Sequence, residues 1–166
     1  MQLRLQAIAA LTTALVLGSG SISAASAQSA SKNIFLIDVH GTGIMPLTDG
    51  ATTTWGGGVG FIGTAGKLVM AGSTNLFSQN DEVTANNHFA VGYGFGKFTN
   101  GGGRAGNALT VGIWIPQGAE EIYPTVGITG WTGAKVSIVT AVDYVLPKNG
   151  GDGGLLARIG LGFHTR

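Results

Sequence analysis

Asp38, His40, Asp143 and Arg158 are the residues whose types could do chemistry together. A histidine two positions from an aspartate can act as a general base that the carboxylate orients. The run "DVHGTG" (38–43) has that composition. The same four groups can also form an ion-pair network that fills a narrow polar interior, and that is the expectation here. A lipid-modifying enzyme would need a nucleophile close to an acyl ester. Ser73 and Ser137 fall at plausible inward positions, yet neither has a histidine at motif spacing, and the chain holds no G-x-S-x-G. His40, His88 and His164 are too far apart in sequence for paired metal-ligand spacing. The chain contains no cysteine, so thiolate sites and disulfides are excluded. The glycine-rich run "GYGFGKFTNGGG" (92–103) lacks the spacing of a phosphate loop, and no helix follows it. No metal and no cofactor are expected, and no catalytic residue is assigned.

What would place these groups is alternation of period two. Phe35, Ile37 and Val39 share one face of the first segment, while Ile34, Leu36, Asp38 and His40 share the other. Eight such segments recur: 33–45, 53–63, 67–77, 88–98, 108–116, 122–131, 135–146 and 155–164. Each is near the ~10 residues that a tilted strand needs to cross a bilayer. In "HFAVGYGFGKF" (88–98), Phe89, Val91, Tyr93 and Phe95 form a bulky face opposite Ala90, Gly92, Gly94 and Gly96. The 30 glycines argue against long helices, since each costs about 1 kcal/mol against alanine in a helix interior. On the inward face they allow strong curvature beside bulky neighbours, or leave room for a ligand; curvature is the simpler reading.

Connections alternate in kind. Tight turns fall at 64–66 and 132–134, and longer polar connections at 46–53, 78–87 and 147–154. A barrel with short periplasmic turns and longer external loops has this parity. The run 99–106 is long where a short turn is expected, and 117–121 is short for an external loop. Centring the last connection between Gly150 and Gly151 pairs Val142 with Ile159, Thr140 with Leu161 and Tyr144 with Ala157 on one face. The other face then sets Asp143 opposite Arg158, giving grease outside and an ion pair inside from one register. Closure would bring Asp38 of the first strand toward Arg158 of the last. Aromatic residues gather at strand ends, with Trp55, Phe77, Trp114, Tyr123 and Tyr144 toward the loops. Phe35, Phe61, Phe98, Trp131 and Phe163 gather toward the turns, an arrangement expected of two membrane-interface girdles.

The N-terminus carries Arg4, the apolar run "AIAALTTALVLG" (7–18) and a small-residue stretch ending at Ala25-Ser26-Ala27. This is the order of a secretory signal peptide, with cleavage expected after Ala27 and one domain over 28–166. The apolar run is too short to span a bilayer as a helix. A net charge of +1 with no basic run gives no reason to expect nucleic acid. A secreted chain without cysteine fits a bacterial envelope.

Taken together, the signal peptide, the eight alternating segments, the loop parity and the final "ARIGLGF" resemble the small bacterial outer-membrane β-barrels, the eight-stranded OmpA/OmpX-like class. Ile159, Leu161 and Phe163 supply the alternation with a terminal aromatic that such proteins present to the insertion machinery, although His164, Thr165 and Arg166 follow. The resemblance implies an all-β, eight-stranded antiparallel up-and-down barrel that crosses the outer membrane of a Gram-negative cell. It implies outer-membrane lipids and lipopolysaccharide as surroundings, a possible extracellular ligand at the loops, and a non-enzymatic envelope, adhesion or surface-interaction role. A water-filled diffusion pore is not expected at this strand number. Two rival readings remain: a soluble secreted or periplasmic barrel whose bulky face surrounds an apolar small molecule, and a lipid-modifying barrel enzyme.

Overall fold

Period-two segments bounded by glycine and polar residues become strands, and nothing else among the described residues competes with them. The computed structural model describes residues 33–79, 82–100, 103–118, 121–148 and 153–165. The expected signal peptide (1–27) lies outside them. Eight strands follow in chain order: β1 (Phe35–Pro46), β2 (Thr54–Ala65), β3 (Leu68–Gln79), β4 (Glu82–Asn100), β5 (Gly103–Pro116), β6 (Tyr123–Gly133), β7 (Val136–Val145) and β8 (Gly154–His164). Each pairs antiparallel with its chain neighbours, and β8 closes on β1. Pairing partners traced round the barrel run Leu36, Ile62, Ala71, Ala90, Gly112, Thr125, Val145 and Gly154. Gly154 pairs with Pro46, ten residues along β1 from the start. A stagger of that size over eight strands tilts them roughly 40° from the axis, given a rise of ~3.3 Å and a spacing of ~4.8 Å.

The bulky face is outside. Phe89, Val91, Tyr93 and Phe95 are all exposed, as are Val39, Val111 and Ile159 at about 60%. Water does not tolerate a continuous apolar belt of this extent, so the belt faces hydrocarbon. This overturns the reading in which the bulky face surrounds an apolar ligand.

The interior has three layers, legible along single strands. On β1 the inward residues run Leu36, Asp38, His40, Thr42 and Ile44. On β7 they run Val139, Ala141, Asp143 and Val145, and on β3 Val69, Ala71, Ser73, Asn75 and Phe77. Leu36, Ile62, Val69, Ala108, Trp131 and Val139 form an apolar floor at the end carrying the short turns. Phe77, Val145 and Leu156 form an apolar cap at the loop end, with Ile44, Trp114 and Tyr123 packed on it. Polar side chains occupy the waist between them. Two plugs of this kind leave no continuous path for ions. Purified barrel in planar bilayers is expected to give no sustained single-channel current, and a stable open conductance would overturn the plugged interior.

Several expectations need correction. Most of 78–87 is strand, because β3 runs to Gln79 and β4 begins at Glu82. The run 99–106 is also mostly strand, with β4 ending at Asn100 and β5 starting at Gly103, so the connection at this end is short after all. A register shift in β4 between Phe95 and Phe98 absorbs one residue of it. Phe77 and Trp131 point inward and are buried, while Trp114 and Tyr123 pack into the cap with ring centroids 5.6 Å apart. The outer aromatics of described placement are therefore Trp55 and Tyr144 toward the loops, Phe89 near mid-wall, and Phe35, Phe61, Tyr93, Phe95 and Phe163 toward the turns. The side chain of Phe98 lies outside the described residues.

Candidate functional site: the polar waist

Large polar side chains enter the waist only where the facing strand yields space. Asp38 pairs with Gly60 of β2 and Gly162 of β8, and His40 pairs with Gly58 and Gly160. A Cβ on Gly60 would stand 2.7 Å from Asp38 Oδ2, and one on Gly58 would stand 3.0 Å from His40 Nε2. Asp143 pairs across β6 with Gly127, where a Cβ would overlap the Asp143 carboxylate. Each of these polar groups thus lies sideways over a glycine of its neighbour strand, so Gly58 and Gly60 of β2 and Gly127 of β6 are notches for these side chains.

The four residues singled out in the sequence all point inward and are buried: Asp38 fully, Asp143 at 1%, His40 at 4% and Arg158 at 5% exposure. His40 donates from Nδ1 to the Asp38 carboxylate. Its Nε2 lies 2.7 Å from the amide oxygen of Asn75, and Asn75 donates through Nδ2 to Ser73 Oγ at 3.2 Å. The chain Asp38–His40–Asn75–Ser73 ties β1 to β3 across β2. Its first two members have the orientation of a carboxylate-imidazole pair. The group at Nε2 is an amide, however, and acyl transfer needs a nucleophilic hydroxyl there.

Asp143 and Arg158 are not directly opposed. The β7–β8 register sets Asp143 against Leu156 and Arg158 against Ala141, two residues away from the expected pairing. A shift of two keeps every side chain on its face, so the outward pairs survive in altered form: Thr140 faces Ile159, and Val142 faces Ala157. Asp143 and Arg158 are diagonal neighbours on the inner face, a separation long side chains span. Arg158 also faces Thr42 on β1, whereas Asp38 faces Gly162, so Asp38 turns to His40 and not to Arg158. Among the described residues, the Arg158 guanidinium has no hydrogen-bond partner, so it does not contact the Asp143 carboxylate directly. Two opposite charges within one buried layer therefore compensate each other without direct contact.

Sequence reasoning missed His88. It is buried, its Nε2 is 3.0 Å from Thr125 Oγ1, and it lies 3.9 Å from Asp143 Oδ1. Its parity with Ala90 and Gly92 was the available signal. Ser137 and His164 do meet, with Ser137 Oγ and His164 Nε2 2.7 Å apart. They come from adjacent strands near the turn end, and Ser137 is 1% exposed. A nucleophile so enclosed is unreachable by a lipid ester, and the contact ties β7 to β8. Among the described residues, no three of His, Asp or Glu converge as a metal site.

A closed eight-stranded antiparallel barrel with an apolar belt outside and a packed, partly polar interior is a transmembrane β-barrel of the bacterial outer-membrane class. Its fold is similar to that of Neisserial surface protein A (NspA), with a TM-score of 0.50 at 11% identity over 83% of this chain and 99% of that one. It is also similar to Ail, the attachment invasion locus protein of Yersinia pestis, with a TM-score of 0.48 at 12% identity over 80% of this chain and 97% of that one. No family model matches the chain, and no curated protein matches it by sequence.

Proposed function

We propose that this chain is a non-enzymatic surface-interaction barrel of the outer membrane, working through its loop end. The observation that carries this reading is the plugged interior. With both mouths closed by apolar clusters, the surfaces left to work are the lipid-facing belt and the two ends. The ends differ in charge. Asp49, Asp81, Glu82, Glu120, Glu121 and Asp152 all fall in or beside the four loops by sequence. Lys148 is the sole basic residue there, and it lies 3.8 Å from Glu121. An acidic loop end favours an extracellular partner with cationic chemistry.

The absence of cysteine permits a clean test of sidedness. Asp49→Cys should be labelled on intact cells by a membrane-impermeant maleimide, and Lys135→Cys only after lysis. Both proteins should fractionate with the outer membrane and migrate faster on denaturing gels when left unboiled. Recovery in the soluble periplasm, or the reverse labelling, would defeat the reading.

A further inference from the structure

We propose that the wall formed by β1 to β4 binds one anionic phospholipid of the periplasmic leaflet, with an acyl chain in a groove beside Gly72 and its headgroup at Lys67. This rests on the transmembrane reading with the short turns toward the periplasm. Gly72 points outward and pairs with Phe61 on one side and Phe89 on the other. The Phe61 and Phe89 rings lie over Gly72, and a groove of about 310 Å³ opens beside them, lined also by Phe35, Ile37 and Val59. Phe35 and Phe61 stack with centroids 6.0 Å apart along it. An apolar trough on a surface already immersed in hydrocarbon is filled by a lipid chain.

The turn end supplies the polar half of the site. Lys67, in the β2–β3 turn, donates from Nζ to the Tyr93 hydroxyl at 2.7 Å and sits 5.1 Å from the centre of that ring. Tyr93 therefore holds the ammonium against the wall and uses one of its three protons. Two donors remain for a phosphate. Lys67 and Gly72 are five residues apart, or ~16 Å along a strand. With strands tilted roughly 40°, that is ~12 Å of depth, within the ~15 Å of one leaflet of a ~30 Å hydrocarbon core. Outward-facing Leu68 and Met70 on β3, with Val91 on β4, join the two halves. Lys97, Arg104 and Lys135 also lie at or near this end, and no acid falls in its three turns. The charge favours an anionic headgroup over a zwitterionic one.

Native mass spectrometry of the detergent-refolded barrel tests this, using phosphatidylglycerol and phosphatidylcholine with identical chains. One phosphatidylglycerol should be retained about five-fold more tightly than phosphatidylcholine. Lys67→Ala should abolish that preference, and Val59→Trp, which projects into the groove, should weaken both lipids. Heat-modifiable migration confirms that each variant is folded. Equal retention of the two lipids by the folded wild type, an unchanged preference in Lys67→Ala, or a dimer that excludes lipid would overturn the site alone. A wild-type chain with no heat-modifiable band would overturn the barrel reading itself.

Discussion

Replacing Arg158 with leucine is expected to lower the unfolding free energy of the barrel by about 3–5 kcal/mol, the cost of stranding a buried charge. Arg158 is 5% exposed and lies in the same layer as Asp143, at 1%. Its diagonal position relative to Asp143 makes it the cation that compensates this carboxylate. The floor and cap keep bulk water from taking over that role. Leucine retains the bulk of the side chain's stem, so the loss is chiefly electrostatic. A second substitution separates charge from packing: Asp143→Asn in the Arg158→Leu background should recover most of the loss, while Asp143→Asn alone should destabilise. The measurement is denaturant unfolding in lipid vesicles, read as a double-mutant cycle. An unchanged midpoint in Arg158→Leu would dispose of the compensation, and additive single effects would show that the two groups act separately.

The expected register failed at this pair for a physical reason. Hydrophobic alternation fixes which face a residue takes, and it is blind to a slip of two. The pairing centred between Gly150 and Gly151 and the observed one both put Ile159 outside and Arg158 inside. What selects between them is fit inside the barrel, where Arg158 needs the small neighbours Ala141 and Thr42. Such fit involves side chains from three strands and leaves no trace in one segment's pattern. Strand number, facing and closure were legible because period two and glycine punctuation recur in every segment. The rims were not legible. Residues 82–87 are mostly polar, with only Val83 and Ala85 apolar on the outward face, which reads as loop, yet a strand that rises past the hydrocarbon needs no continuous apolar side. The same rule hid His88, at the border between that polar rim and the bulky run beginning at Phe89. Asp38 and His40 were legible as a same-face pair, whereas Asn75 and Ser73 reach them only through the β1–β2–β3 register.

Valine at Gly127 and valine at Gly41 should have opposite outcomes, although both substitutions add the same atoms to a strand glycine. Gly127 faces inward opposite Asp143. A Cβ there would overlap both the Asp143 carboxylate and the backbone carbonyl of Val142. The carbonyl belongs to the neighbouring strand, so no rotamer change relieves the overlap, and the β6–β7 pairing must open. Overpacking costs about 1–3 kcal/mol even where side chains can adjust, and here the backbone must move as well. Gly127→Val is therefore expected to lose the fast-migrating unboiled band, and trimming Asp143 to alanine should restore it only in part. Gly41 faces the lipid, and a Cβ there meets nothing within 4 Å. Gly41→Val should keep the folded band, with an unfolding free energy within about 0.5 kcal/mol of wild type or above it. Equal tolerance of the two substitutions would mean that the inward glycines are not notches for polar side chains. Equal intolerance would mean that Gly41 is needed for a contact outside the barrel wall.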